Sequence, residues 1–256
     1  MNLALLQLPP LASNDVRLSK YLQSCKKQKV HLAAFGEYVF SPFYRDVLKD
    51  ARFYKECNML INTLKKLSHK YKLDIVAPVI HAKEDKLYKS IVLIQQESVQ
   101  FYYPQRLMAY SHWNERDFFD NALPKSPKTP LIFEKDGCKI ALVSGFEVHF
   151  DEIWLKLKRA GVDVVIMPCS NTFASQERWR ILTQARAFNN NMVILRINRI
   201  GELNYDGAIW RFYGDSLFVN ADGHIEDSLE EREGVMIIEL QSEQIKDIQK
   251  QWGFRA

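Results

Sequence analysis

Between Gly137 and Gly201 the chain reads GCKIALVSGFEVHFDEIWLKLKRAGVDVVIMPCSN and then, after a short polar stretch, RWRILTQARAFNNNMVILRINRIG. Ile140 to Val143 and Val162 to Met167 are short apolar runs of strand length, each followed by a helical pattern, and a third apolar run closes the segment. A turn separates the first strand from its helix. Buried strands alternating with helices constrain the chain to a layered α/β domain.

The flanking sequence continues the alternation. Leu3 to Leu8 reads as a first core strand, and Asn14 to Gln28 as an amphipathic helix with Val16, Leu18, Tyr21, Leu22 and Cys25 apolar. A strand from Val30 to Phe35 ends at Gly36-Glu37, followed by a loop carrying Tyr38, Phe40, Phe43 and Tyr44. A long helix spans Ala51 to Tyr71 and a buried strand Ile75 to Ile80. Leu87 to Gln95 and Ser98 to Tyr103 have the pattern of an antiparallel pair. Ala208 to Asn220 holds a Gly-centred element, Val235 to Leu240 is a closing strand, and the tail from Gln244 is helical. With no low-complexity linker and no repeat, residues 1–256 read as one domain.

Composition excludes several function classes. A formal net charge of +4 without a basic block does not point to nucleic acid. No apolar window reaches membrane-spanning length. The start MNLALLQLPP lacks the basic n-region and cleavage site of an export signal. Four cysteines without metal-type spacing read as reduced thiols, which predicts the cytoplasm. The six histidines are scattered, with no His-x-x-x-His pair, and there is no Gly-rich phosphate loop; neither metal nor other cofactor is expected.

Several segments, in order, resemble signatures of the nitrilase superfamily, the thiol-dependent carbon–nitrogen hydrolases. They are HLAAFGEYVF, LYKSIVLI, FYYPQRLMAY with HWNERDFF, GVDVVIMPCSN, the RWRIL…RINRIG segment and RFYGDSLFVNADGHI. The resemblance implies a four-layer αββα sandwich, commonly paired into a homodimer or larger homo-oligomer. It also implies hydrolysis of amide or nitrile bonds by a cysteine, a glutamate base and a lysine, with a second glutamate nearby.

Carried onto this chain, the resemblance places Glu37 at the general base and Glu115 at the second glutamate. The family's Lys-x-x-Leu, counted back from Leu107, puts Pro104 where the lysine belongs; Arg106 is the neighbouring cation that could partly substitute. The family's Cys-aromatic-acid tripeptide becomes Gly145-Phe146-Glu147, so the thiol is missing and Glu147 is left to orient the turn. Ser144 is adjacent, but alternation along a strand turns its side chain to the opposite face. Cys169, after Pro168 at the end of a strand, is the alternative nucleophile across the pocket.

Neither Gly145 nor Pro104 can perform the family chemistry. The first expectation is therefore a catalytically impaired pseudoenzyme, its acidic, lysine-free pocket binding a small amine- or amide-bearing molecule or a partner. The alternative is an active hydrolase of small amides or carbamoyl compounds that uses Cys169 with Glu37 as base. A structural subunit pairing with an active relative is a third reading.

Overall fold

The computed structural model describes residues 1–44, 49–96, 98–205 and 207–255. In chain order the elements are β1 (Asn2–Gln7), α1 (Val16–Lys27), β2 (Leu32–Phe35), α2 (Ala51–Tyr71), β3 (Asp74–Lys83), β4 (Lys86–Gln95) and β5 (Ser98–Tyr102). Two short strands follow, β6 (Ala109–Tyr110) and β7 (Trp113–Asn114), then β8 (Ile132–Lys135) and β9 (Cys138–Leu142). The later elements are α3 (Asp151–Arg159), β10 (Val164–Pro168), α4 (Gln176–Asn190), β11 (Val193–Ile197), β12 (Ile200–Tyr205), β13 (Ala208–Tyr213), β14 (Leu217–Val219), β15 (Ile225–Ser228), β16 (Gly234–Glu239) and α5 (Ser242–Trp252).

The strands form two six-stranded sheets, ordered β16-β1-β2-β3-β4-β5 and β15-β14-β11-β10-β9-β8. Each has three parallel central strands, β1 to β3 in one and β9 to β11 in the other, with antiparallel strands at its edges. Because side chains alternate along a strand, each sheet feeds two cores. Leu3, Leu5 and Val76 of the first sheet meet Ile140, Val164 and Ile166 of the second between the sheets. Ala4, Leu6 and Ile75 face the other way, against Leu18 and Leu22 of α1 and Leu64 of α2. Val165 and Met167 likewise pack against Ile153, Trp154 and Leu157 of α3. The layers are thus helix, sheet, sheet, helix, the αββα sandwich that the resemblance implies. Fully burying each such Leu, Ile or Val contributes roughly 1.5–3 kcal/mol.

Local chemistry fixes the boundaries. α1 starts at Val16 because the Asp15 side chain accepts from the Arg17 N–H, two residues later than the sequence pattern suggests. β2 starts at Leu32 rather than Val30, because Lys29 takes a φ of 56° and the Val30 N–H closes the end of α1 on Cys25 O. α2 covers the expected Ala51–Tyr71, capped by Asp50, whose side chain accepts from the Phe53 N–H at 2.8 Å. The Gly-centred element divides into β13 and β14, because Gly214 and Asp215, at φ 78° and 63°, turn the chain between them. The β12–β13 hairpin is an addition to the expected elements. Among the described residues no helix is long and apolar enough to cross a membrane.

The topology brings the carboxyl ends of parallel strands together. The Glu37 N–H, just past β2, donates to Cys169 O just past β10, and the Cys169 N–H donates to Ile197 O at the end of β11. Gly36 is required by this approach: a Cβ there would fall 2.9 Å from the Arg199 nitrogen.

Candidate active site

Glu37 is buried and both of its carboxylate oxygens are engaged. Oε1 accepts from Ser144 Oγ at 2.8 Å. Oε2 accepts from Ser170 Oγ and from Lys89 Nζ, each at 3.2 Å. The Lys89 ammonium also donates to Glu115 Oε1 at 2.8 Å. Glu115 is fully buried and accepts further from Tyr38 Oη at 2.8 Å and Trp113 Nε1 at 3.3 Å. Two carboxylates therefore share one ammonium and a set of neutral donors, as buried charges require. Burial raises the Glu37 pKa; Lys89 opposes that rise and Glu115 adds to it. Burial acts against the charge of Lys89, but Glu115 and Glu37 outweigh it and hold its pKa above the ordinary value.

The expectation of a lysine-free, acidic pocket is corrected by Lys89. It stands on β4, in the LYKSIVLI segment, and reaches the acids from a strand neighbouring the one that leads to Pro104. Asn121 links the two positions: its side chain bonds the Lys89 N–H and carbonyl, and donates to Pro104 O, each at 2.9 Å. Pro104 itself contributes only this carbonyl. Arg106 is also corrected as the substitute cation. Its guanidinium donates to the carbonyls of Gln105, Pro124 and Lys125 and pairs with Glu152 at 3.6 Å, which commits it elsewhere. The sequence signal for Lys89 was a charge set between Leu87 and the apolar run Ile91–Ile94 of one strand.

Beyond β9 the chain leaves the extended conformation and forms a 3-10 turn over Gly145–His149. Glu147 orients it: Oε2 accepts from the Ser144 N–H at 3.0 Å, and Oε1 accepts from the Gln105 N–H at 2.7 Å and Tyr102 Oη at 2.8 Å. Burial pushes the Glu147 carboxyl up to about 7, against the pull of those donors. The turn also redirects Ser144. Strand alternation holds only while the strand continues, and β9 ends at Leu142, so the hydroxyl meets Glu37 instead of facing away.

Gly145 carries no side chain, and its neighbours have closed on it. A Cβ there would lie 2.7 Å from Cys169 Sγ and 3.1 Å from Pro168 O. The Cys169 thiol is 1 % exposed and packs in the outer core with Val143 and Met167, donating to Met167 O at 3.4 Å. Burial pushes it up to about 12, where a thiolate is scarce at neutral pH.

In front of Glu37 opens a cavity of about 280 Å³. Glu37, Ser170 and Gly145 line its inner end, with Phe146 and Trp113 beside them. Phe173, His149, Trp179 and Arg178 contribute farther along the lining. Pro104, Arg106, Glu115, Glu147, Cys169 and Lys89 are not among the residues that line the cavity. Tyr38, Phe40, Phe43 and Tyr44 of the loop after Glu37 are likewise absent from the lining, and Phe43 meets Trp113 edge-on at 5.0 Å and Trp210 at 5.9 Å. The rings that do line the cavity include Trp113, Phe146, Phe173 and Trp179, from later elements. Among the described residues no group of three or more His, Cys, Asp or Glu side chains could hold a metal ion.

The carbon–nitrogen hydrolase family model matches residues 2–250. The deaminated glutathione amidase of Synechocystis is 25% identical over 126 residues, 48% of this chain and 45% of that protein, so the match spans less than half of the relative. A protein described as the hydrolase in the agr operon of Staphylococcus lugdunensis is 22% identical over 73% of this chain and 77% of its own. The carbon–nitrogen hydrolase structure from Helicobacter pylori G27 superposes with a TM-score of 0.85 at 18% identity, over 99% of this chain and 94% of that one. An amidase of the nitrilase superfamily from Nesterenkonia AN1 gives 0.79 at 18% identity, over 98% and 97%.

Proposed function

The chain belongs to the carbon–nitrogen hydrolase family, and we propose that it is a member without ordinary amidase turnover, whose cavity binds a small amine- or amide-bearing molecule. One observation carries this reading: the backbone that should present a nucleophile is Gly145, and Cys169 Sγ and Pro168 O occupy the space a side chain would enter. A carbonyl beside Glu37 meets hydroxyls and rings, but no activated thiol. The remaining polar group at the inner end suits binding. Glu37, with one donor on Oε1 and two on Oε2, keeps capacity to accept from an amine or amide N–H, and Ser170 adds a hydroxyl. Lys89 shares its one positive charge between Glu37 and Glu115, where the resemblance would place a lysine at 104. The family's usual homodimeric pairing is the expected assembly.

The test combines ammonia release with calorimetric binding over a panel of small amides, carbamoyl compounds and diamines. Saturable binding is expected, with no release above that of Glu37→Gln. Release that disappears in Glu37→Gln would overturn the loss of activity, and an absence of binding across the panel would overturn the ligand role.

The active-hydrolase reading draws on one observation, the position of the Cys169 sulfur beside Gly145. Its burial, its Met167 carbonyl acceptor and its raised pKa weigh against it. Turnover abolished by Cys169→Ala, in a variant shown to be folded, would restore that reading.

A further inference from the structure

A groove of about 620 Å³ opens at the end of the second sheet opposite the Glu37 cavity. The cavity takes Gly145 and Ser170 from beyond the carboxyl ends of β9 and β10, whereas the groove takes Lys139 from the start of β9 and Asp163 from just before β10. Lys158 and Arg159 in the last turn of α3, Lys246 of α5 and Arg255 of the tail complete a lining of five basic side chains against two acids, Glu134 and Asp163. Asp163 is already engaged: it accepts from the Lys139 N–H at 2.9 Å and Gln249 Nε2 at 3.1 Å, with Arg255 at 3.9 Å. The side chains of Lys158, Arg159 and Lys246 make no hydrogen bond or ion pair among the described residues. Lys139 Nζ donates to Ala160 O, at the end of α3, at 3.3 Å. The helix dipole there accounts for one or two cations, not for four from three elements. Next to Lys158 the groove borders an exposed aromatic cluster. The Lys158 ammonium stands 5.1 Å from the centre of the Phe254 ring, which meets Trp252 and Phe188 at 6.1 and 6.3 Å. Phe254, Trp252 and Phe188 are 38, 45 and 39 % exposed. Arg255 donates to Val162 O at 2.6 Å and Asn191 O at 3.2 Å, which holds the tail and Phe254 at this edge.

We propose that this groove binds a nucleoside triphosphate, its phosphate chain on Lys139, Lys158, Arg159 and Lys246 and its base against Phe254 and Trp252. The site is separate from the Glu37 cavity and does not depend on the function proposed for it. Exposed cations are screened one by one and would hold a single carboxylate weakly. A chain of three phosphates instead sets several negative charges against cations from β9, α3 and α5 at once, each contact charge-assisted. An inorganic anion would leave the neighbouring rings in water, whereas a base has a π-face that stacks on them. The sequence has no Gly-rich loop to supply backbone donors, so the phosphates rely on side chains.

The test measures the calorimetric affinity of the full chain for ATP, inorganic tripolyphosphate and adenosine. ATP is expected to bind about tenfold more tightly than tripolyphosphate, the size of one base–aromatic contact. Adenosine should bind more weakly than either, and ATP affinity should fall as salt is raised. Arg159→Gln combined with Lys246→Gln should weaken ATP and tripolyphosphate alike, by about tenfold. Phe254→Ala should bring ATP down to the tripolyphosphate level and leave tripolyphosphate unchanged. Lys65→Gln combined with Lys66→Gln, at exposed positions of α2, removes the same charge elsewhere and should alter neither affinity. Circular dichroism checks each fold; if the groove double variant does not fold, its two single variants replace it, each expected to lower affinity about threefold. No ATP binding, ATP affinity unmoved by the groove variants, or an equal loss in the α2 variant would overturn the site. Equal affinities for ATP and tripolyphosphate, unmoved by Phe254→Ala, would overturn the nucleotide assignment.

Discussion

The Cys169 sulfur sits where a side chain on Gly145 would begin: a β-carbon there would fall 2.7 Å from it. The loss of one thiol position and the filling of its space by another are thus one packing arrangement. Restoring the family residue alone, as Gly145→Cys, should overpack the turn and destabilise the protein by about 1–3 kcal/mol. Adding Cys169→Ala should recover most of that loss. Urea unfolding of the two variants checks it; equal stabilities would show that the Cys169 side chain simply turns aside.

Among the described residues Lys89 is the single cation paired with Glu37 and Glu115, so Lys89→Met leaves two buried carboxylates without it. The expected cost is about 3–5 kcal/mol at pH 7.5, the range for breaking a buried ion pair from one side. The loss should shrink at pH 5, because protonating one acid removes the repulsion. Chemical denaturation at both pH values reads this directly, and a loss independent of pH would place the role of Lys89 in packing instead.

Glu147 gives the parent protein a pH dependence of defined sign. Its folded pKa of about 7 lies above the ordinary 4.5, so between these values the folded state holds more protons than the unfolded state. Stability from this group is complete below about pH 4.5 and is lost as pH rises through 7, on the order of 3 kcal/mol in all. Glu37, also raised, acts in the same direction. Unfolding midpoints should fall from pH 5 to pH 8, and Glu147→Gln should flatten the slope. A midpoint that rises over this interval would contradict the assignment.

All four cysteines are buried and free. With its thiol pushed up to about 12, Cys169 should resist iodoacetamide in the native protein at pH 8 and react only after unfolding. Peptide mapping after a timed pulse identifies the labelled residue. Rapid native labelling at Cys169 would show an accessible thiolate and favour the hydrolase reading.

The fold was largely legible because its signals are local. α2 matches Ala51–Tyr71, and the central strands fall within a few residues of their apolar runs. The departures have local causes too, such as the Asp15 cap and the left-handed Lys29 that delays β2. The site was legible only where a motif could be counted. Glu37, Gly145 and Pro104 came from motif positions, whereas Trp113, Phe173 and Arg178 had no signal of their own, because cavity lining depends on how loops from different strands converge.

By itself the sequence determined the layered α/β architecture, the glutamate past β2, and the absence of a thiol at 145 and of a lysine at 104. Apolar periodicity and residue identity encode these properties along the chain. Only the tertiary structure decided that Lys89 stands between Glu37, 52 positions away, and Glu115, 26 away. It also decided that Ser144 turns toward Glu37 and that Cys169 fills the space beside Gly145. Those relationships arise where separate strand ends pack together, and burial there sets both the charge a group can carry and the volume left for a ligand.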